Sequence, residues 1–292
     1  VVGTASKTIF TLLELYRRTG IETYLSSAVS AGEWLLTMIG DDGVIVNSVT
    51  KISGEWVEEI RFSYLYAGQC LSAFSRLYTV TGDKRYLEKA GIIAEIFIAN
   101  SRAESYFVSD GWRSNFDPVP TSWVMMALLD YFKVTGDERA RETIFRSAKV
   151  LIERQENNPR DIRDYGRYHA TATSGSGWIA EVLSEIYRYG MEKNWPEVRE
   201  YKDSIIKAAR WIIQNTYSPQ NTFFIRNAEN VYGGPIHQYN DDAVRTDAVC
   251  HGVNGYLNLL PYLTEEDVLD VPEKEMYTRE GCRKFSVQKG KI

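Results

Sequence analysis

The sequence lacks the patterns that are typical of several kinds of site. It has only three cysteines, Cys70, Cys250 and Cys282, with no CxxC pair, so we expect free thiols rather than a disulfide framework or a thiolate metal site. No apolar run approaches the roughly 18 to 20 residues of a membrane helix. HExxH, calcium-loop, P-loop and GxGxxG motifs are also missing, so no metal and no cofactor are expected.

A positive net charge is missing as well. The 34 Lys and Arg residues are outnumbered by 39 Asp and Glu residues, which gives a net charge of −5 and argues against binding to nucleic acid through its phosphates. Hydrophobic residues at 44% and charged residues at 25% exclude a wholly disordered chain. The first residue is valine, which suggests a processed or excised chain and leaves the compartment open.

Aromatic residues, by contrast, are abundant at 13%. They fit either a packed core or a cleft that stacks on sugar rings.

An internal repeat marked by glycine runs along the chain. The segments ELYRRTGIETYLSSAVSAGEWLL, RLYTVTGDKRYLEKAGIIAEIFI and DYFKVTGDERARETIFRSAKVLI align on Gly20, Gly82 and Gly136, and a fourth copy aligns on Gly190 with a short insertion. Eleven positions before these glycines stand Ile9, Leu71, Met125 and Ile179. Further apolar residues follow at offsets of three and four, which places them on one helical face.

Each of these glycines is expected to end a helix in the left-handed conformation, because glycine has no Cβ to clash there. A second helical stripe follows at once, so each repeat is predicted to be a helical hairpin. A fifth first helix is read in TDAVCHGVNGYLNLLPYL, ending near Pro261. Because the first helices are apolar on most faces and the second helices carry more charge, we expect an inner and an outer ring that close into a toroid.

The expected organisation is one all-α toroid domain over residues 1–263, with a short helix and tail over 264–292. Connections between hairpins are long, at about residues 37–61, 100–120, 153–171 and 214–245. Structureless loops beyond about 12 to 15 residues are uncommon in a compact domain and usually functional. All three histidines lie in or just after these loops, so we expect a site at the N-terminal mouth of the first helices.

The run FSYLYAGQCLSAFSRLYTVTGDKRYLEKA resembles the repeating unit of six-hairpin (α/α)6 toroid proteins that act on carbohydrates. That group includes glycoside hydrolases, unsaturated-uronyl hydrolases, polysaccharide lyases, sugar 2-epimerases and the helical domain of glucuronyl C5-epimerases. The matching TGD-x-x-Y-L-x-x-A turn is structural, so the resemblance implies the fold and not the reaction. A full toroid has twelve helices and nine or ten are readable here, so we expect either a degenerate last hairpin or residues missing from one end.

Hydrolysis of a glycosidic bond needs two carboxyl groups on either side of that bond. Asp117 in SNFDPVPTSW and Asp242 in YNDDAVRTDAV are the favoured pair, with Glu58, Glu59 and Asp247 in reserve. The alternative for Asp117 and Asp242 is an N-cap role at a helix start.

Lyase or epimerase action on a uronate would instead use Tyr or His as acid and base. Arg167, Tyr168 and His169 in GRYHATATSGSGW could serve, or could simply be packed in the loop. A core position is favoured for His251, and close helix packing for the SGSG run at Ser174–Gly177.

An oligosaccharide or polysaccharide is the expected partner, and the arginines near the mouth suit an acidic one. The candidate binding residues are Trp56, Glu59, Arg61, Trp112, Arg113, Asn115, Arg167, His237, Tyr239, Asp241 and Arg245, with Trp56, Trp112 and Tyr168 as stacking walls. A helical-repeat binding scaffold is the non-enzymatic alternative, but scaffolds of that kind keep their connections short. The sequence therefore predicts a carbohydrate-active enzyme that hydrolyses a glycosidic bond, with lyase or epimerase action on a uronate as the alternative. It leaves open the substrate, the stereochemistry and the oligomeric state.

Overall fold

A computed structural model of the chain describes residues 1–60, 62–104, 106–107, 117–158, 162–168, 172–238 and 241–269. The chain divides into two compact units, Val1–Glu153 and Arg154–Ile292. Among the described residues, no helix is long and apolar enough to cross a membrane.

The first unit is made of helical hairpins. Its described elements are α1 (Val2–Thr19), α2 (Glu22–Thr37), β1 (Val46–Ile52), β2 (Glu55–Ile60), α3 (Tyr64–Thr81), α4 (Lys84–Glu104), α5 (Pro118–Thr135) and α6 (Glu138–Glu153). The first helices α1, α3 and α5 pack side by side, and each also packs against the helix that follows it. This is the predicted alternation of first and second helices.

The second unit continues the pattern. Its described elements are α7 (Thr173–Glu192), α8 (Tyr201–Gln214), β3 (Ile236–Gln238), β4 (Asp241–Val244), α9 (Thr246–Leu259) and α10 (Glu265–Leu269), with short 3-10 turns between them. Here α7 packs against both α8 and α9. The predicted fifth first helix is α9, and the predicted short helix after residue 263 is α10.

The repeat glycines end three of the four predicted helices. Gly20, Gly82 and Gly136 have φ values of 69°, 71° and 70°, in the left-handed region where glycine is favoured. Gly190 differs from the prediction, because α7 runs past it to Glu192. A Cβ on Gly190 would lie 2.6 Å from Val198, so this glycine allows a close approach instead of ending the helix.

The register positions eleven residues before the glycines form the core. Ile9, Leu71, Met125 and Ile179 are fully buried, as the periodicity predicted. Nearly all of α5 from Pro118 to Asp130 is buried, whereas α6 buries one stripe of its surface. The first helix of this hairpin is therefore more deeply buried than the second, as the sequence predicted.

The TGD turn carries an ion-pair clamp between neighbouring hairpins. Asp83 accepts a hydrogen bond from the main-chain N–H of Arg85, whose guanidinium reaches Glu33 on α2 at 2.7 Å. Because the Arg85 guanidinium also hydrogen bonds to Asp83, it lowers the pKa of that carboxyl. In the next repeat Asp137 and Arg139 repeat the arrangement, with Glu95 on α4 as the distant partner.

A buried polar contact joins α3 to α5. The Asp130 carboxylate accepts hydrogen bonds from the Ser72 hydroxyl and from Nε of Arg76, both at 2.8 Å. The Arg76 guanidinium also lies 4.4 Å from the ring centroid of Phe10 on α1. One side chain therefore ties three first helices together.

Gly68 lets α3 and α5 approach closely, and this gives a first prediction. A Cβ there would lie 3.1 Å from the main-chain oxygen of Trp123, and a backbone atom cannot move aside. Gly68→Ala should therefore lower the free energy of unfolding by about 1 to 3 kcal/mol in urea denaturation.

Gly91→Ala is the matched control, because a Cβ on Gly91 would meet only the Tyr131 hydroxyl at 3.7 Å. In that variant helix propensity alone should raise stability by up to about 1 kcal/mol. Equal effects of the two substitutions would contradict the close-packing role of Gly68.

Two of the long connections are not structureless, in contrast to the expectation. β1 and β2 form an antiparallel hairpin around Ser53 and Gly54, which have φ values of 52° and 95°. β3 and β4 form a second, shorter hairpin before α9. Alternating β-branched residues before and after a Ser-Gly turn are a hairpin signal, which the helical periodicity of the chain concealed.

Candidate functional site

Asp117 stands at the start of α5. Its Oδ1 accepts a hydrogen bond from the main-chain N–H of Val119 at 3.0 Å, and its own N–H donates to the carbonyl of Phe107. Asp117 is therefore the N-cap of α5, one of the two roles proposed from the sequence. The carboxyl is half-buried and not enclosed.

Asp242 lies on β4 rather than at a helix start, so the N-cap alternative is wrong for this residue. Its side chain is exposed, and its main-chain oxygen accepts a hydrogen bond from the Tyr217 hydroxyl at 2.8 Å. Burial of Tyr217, together with the negative charges of Asp242 and Asp241, raises the pKa of that phenol and keeps it a donor. Tyr217 thus fixes the β4 main chain while leaving the Asp242 carboxylate in solvent.

Charged side chains gather between the β3–β4 hairpin and the first turn of α9. Arg245 donates two hydrogen bonds to Asp247, at 2.9 and 2.6 Å. Burial acts to raise the pKa of Asp247, but the hydrogen bond and charge of Arg245 outweigh it, and the pKa is lowered. Across the hairpin, Nε2 of His237 lies 3.9 Å from Oδ2 of Asp241.

One ring nitrogen of His237, the buried Nδ1, lacks a hydrogen-bond partner among the described residues. Asp241 lies near His237, and its charge also acts on Arg245, so these three predicted binding residues share one neighbourhood. Asp242 follows Asp241 on β4.

Tyr168 takes the packed position that the sequence left open. Its side chain is only 1% exposed, and its hydroxyl shares a 3.0 Å hydrogen bond with Ser204. Burial raises the pKa of this phenol, so it holds its proton. These facts favour a structural role over the catalytic and stacking roles. Nearby, Arg167 is half-buried and lies 3.3 Å from Asp164.

Trp56 and Glu59 lie on the exposed strand β2. The Trp56 side chain is 68% exposed and has the Lys51 ammonium 5.8 Å from its ring centroid. Glu59 accepts a hydrogen bond from the Ser48 hydroxyl at 2.9 Å, and Glu58 is exposed beside it. An open indole face of this kind can stack on a sugar ring.

Several predicted site residues lie outside the described residues. They are His169 among the catalytic candidates, and Arg61, Trp112, Arg113, Asn115 and Tyr239 among the binding candidates.

A histidine–carboxylate pair between α7 and α9 was not among the predicted site residues. Nδ1 of His251 and Oε2 of Glu181 are 2.6 Å apart, and the Asn254 amide donates to the other carboxylate oxygen at 3.0 Å. Because a carboxylate oxygen accepts, Nδ1 is the donor in this contact, and Nε2 is the ring nitrogen left for another partner. His251 also packs edge-on against Trp178, with ring centroids 5.0 Å apart.

His251 is hydrogen bonded to a partner, as expected of the satisfied core histidine favoured by the sequence, but it is not fully enclosed. Its side chain is 24% exposed, and its Nε2 makes no hydrogen bond within the described part of the chain. A histidine that is oriented through one nitrogen and open at the other has the geometry of a general acid or base.

Glycine on both helices brings this pair together. A Cβ on Gly177 would lie 3.2 Å from the main-chain nitrogen of Gly252, and one on Gly255 would lie 3.3 Å from that of Glu181. This confirms the close packing predicted for the run that ends at Gly177. The small residues in SGSG and CHGVNG were the sequence signal that could have placed His251 opposite Glu181.

Other site types receive no support in the described ranges. They contain no group of three or more His, Cys, Asp or Glu side chains that could hold a metal ion. Cys70 is buried and Cys250 is exposed, and both are free thiols. Burial raises the pKa of Cys70 to about 12, so its thiol is not a nucleophile at neutral pH.

Comparison with known proteins gives one match to a protein-family model, that of glycosyl hydrolase family 76, over residues 4–111. This is less than half of the chain. No curated protein sequence matches the chain.

Solved structures match over most of the chain. A D-mannose isomerase matches with a TM-score of 0.69 at 12% identity, covering 98% of this chain and 75% of its own. A GH76 alpha-mannanase from Bacteroides thetaiotaomicron has a TM-score of 0.63 at 12% identity, covering 89% of this chain and 70% of its own.

A possible GH105 family member from Klebsiella pneumoniae has a TM-score of 0.59 at 17% identity, covering 87% of this chain and 70% of its own. At such identities these likenesses show the fold, which is that of the (α/α)6 toroids, and confirm the fold predicted from the sequence. The family-model match supports the expected carbohydrate-active enzyme.

Proposed function

We propose that the chain is a glycoside hydrolase that acts on a polysaccharide or oligosaccharide, within a helical-hairpin domain of residues 1–263. The match of residues 4–111 to the glycosyl hydrolase family 76 model is the observation that carries this proposal. Asp117 and Asp242 are proposed as the two carboxyl groups, one as acid and the other as base or nucleophile.

The local geometry of both carboxyl groups supports these roles. The Asp242 carboxylate is exposed while Tyr217 holds its main chain, so it can meet a substrate without loss of structure. Asp117 uses one oxygen to cap α5 and leaves the second for other partners.

The surroundings of Asp242 suit a sugar. His237, Asp241 and Arg245 offer donors and acceptors for hydroxyl groups. Trp56, which belongs to the first unit, offers an open stacking face of its own. One of the similar structures is named a D-mannose isomerase and another an alpha-mannanase, so mannans belong among the first substrates tested.

Epimerase or lyase chemistry is the second candidate, and the His251–Glu181 pair favours it. Removal of a proton next to a carbonyl or carboxylate needs a base of the kind that Nε2 of His251 provides. The Tyr168 and His169 pair is a weaker basis for this chemistry, because Tyr168 is buried.

A panel of substrates distinguishes the two functions. We expect new reducing ends from a neutral or uronate-bearing polysaccharide, without absorbance from a new double bond. Reducing ends together with that absorbance would indicate elimination, and new sugar epimers in NMR spectra without either would indicate epimerisation. Either of these results would overturn the hydrolase proposal, as would the absence of any reaction across the panel.

A further inference from the structure

An open groove lies between the N-terminal halves of α1 and α3 in the first unit. Its volume is about 410 Å³, within the range of small-molecule sites. Thr4, Lys7 and Thr11 line it from α1, and Tyr66 and Gln69 line it from α3. None of these residues belongs to the candidate site described above.

Gln69 presents an unsatisfied polar group at the groove. Its side chain is only 1% exposed, yet its Oε1 has no hydrogen-bond partner among the described residues. A Cβ on Gly3 would lie 2.5 Å from this oxygen and 2.7 Å from the Tyr66 ring, so glycine is what makes room for both. A buried acceptor without a partner is unfavourable, and a hydrogen bond from a bound hydroxyl would remove that cost.

The groove is locally positive in a chain of net charge −5. None of the described residues that line it is acidic. The Lys7 ammonium lies 5.7 Å from the ring centroid of Trp123 and forms no ion pair with any described carboxylate. An ammonium held over an aromatic face without a counter-charge is suited to an anionic group on the ligand.

We propose that this groove binds an acidic monosaccharide unit of the substrate. Lys7 pairs with the carboxylate of a uronic acid, Gln69 accepts a hydrogen bond from one of its hydroxyls, and Tyr66 lies against the ring. The inference rests on the proposed function, since it names the class of sugar that the enzyme would take. The arginines of the sequence already suggested an acidic substrate. The groove would give the protein a second, separate positive charge for binding it.

The test compares two sugars that differ only at C6, methyl glucuronide and methyl glucoside. Their affinities for the full chain are measured by calorimetry. We expect the glucuronide to bind about tenfold more tightly at low salt, because hydrogen bonds to charged groups are the strong ones. Added salt should weaken this preference. Lys7→Met should abolish it, and Lys7→Arg should retain most of it.

Lys193→Met is the matched control, because Lys193 lies 5.5 Å from the Tyr189 ring centroid and outside the groove. It should leave both affinities unchanged. Gln69→Leu should weaken both sugars about tenfold while the protein stays as stable or becomes more so, since an unsatisfied buried amide is replaced by an apolar group of similar size. A purely structural Gln69 would not give that combination.

Equal affinity for the two sugars, or an unchanged preference in Lys7→Met, would overturn the inference. So would acetate binding as tightly as the glucuronide, since the groove would then recognise a lone anion and no sugar. These results are independent of turnover. Hydrolysis without a preference for the glucuronide refutes the groove alone, and that preference without hydrolysis supports the groove while the proposed function fails.

Discussion

Replacing Asp242 or Asp117 by Asn should lower the rate of polysaccharide hydrolysis by about 10²- to 10⁴-fold, the usual contribution of a general acid or base. The amide keeps the size of the carboxyl group and removes its ability to take or give a proton. Reducing-end release per folded molecule is the measurement.

Both substitutions should leave the fold intact. Asn is as good an N-cap as Asp, so Asp117→Asn should change the free energy of unfolding by less than about 0.5 kcal/mol. In Asp242→Asn the hydrogen bond from Tyr217 persists, because it is made to the main-chain oxygen.

Two control variants separate catalysis from stability. Ser63 is the N-cap of α3 and accepts a hydrogen bond from the N–H of Tyr66, so Ser63→Ala should cost about 1 kcal/mol of stability and leave the activity of folded protein unchanged. Asp203→Asn removes an exposed carboxylate on α8 that pairs with Lys207, and should leave both stability and activity nearly unchanged. Full activity in both Asp117→Asn and Asp242→Asn would show that the carboxylate assignment is wrong.

Arg76→Met should lower the free energy of unfolding by about 2 to 3 kcal/mol, because it leaves the buried Asp130 carboxylate with Ser72 as its remaining partner. The side chains of Arg76 and Asp130 are 38% and 8% exposed. We place the loss below the roughly 3 to 5 kcal/mol of a fully buried pair because solvent reaches the arginine. Urea unfolding of the full chain measures it.

The double variant Arg76→Met with Asp130→Leu tests the cause. Removing both charges should restore at least about 1 kcal/mol relative to the sum of the single effects, since no charge is then left buried alone. Arg17→Met is the control, because Arg17 pairs with Glu14 at the exposed surface and should cost less than about 0.5 kcal/mol. If Arg76→Met cost no more than Arg17→Met, the contact would have no stabilising role.

The hairpin repeat could be predicted because its signals are local. A left-handed glycine acts within one turn of helix, and an apolar stripe acts within a few turns, so Gly82 and Leu71 indicated their roles directly. Gly190 shows the limit of this reasoning. It occupies the same register, but packing against Val198 and the helix-forming residues after it carried α7 onward.

The candidate site was harder to predict because its contacts join distant parts of the chain. His251 and Glu181 are 70 positions apart, and their 2.6 Å contact depends on how closely two helices approach. Tyr168 is a related case, since its buried hydroxyl shares a hydrogen bond with Ser204 on α8, 36 positions further along the chain. Residue type suggested a chemical role for both Tyr168 and His251. Only tertiary packing determines which of the two side chains is exposed to solvent.

The clamp that joins Arg85 to Glu33 and Arg139 to Glu95 has a consequence for how the chain tolerates change in length. In each clamp the arginine belongs to one helical hairpin and the glutamate belongs to the hairpin before it. Inserting or deleting one whole helical hairpin would therefore leave every clamp with both its arginine and its glutamate. An insertion or deletion that ends inside a hairpin would leave one charge of a clamp without its partner. The gain or loss of complete hairpins should therefore be the better tolerated change.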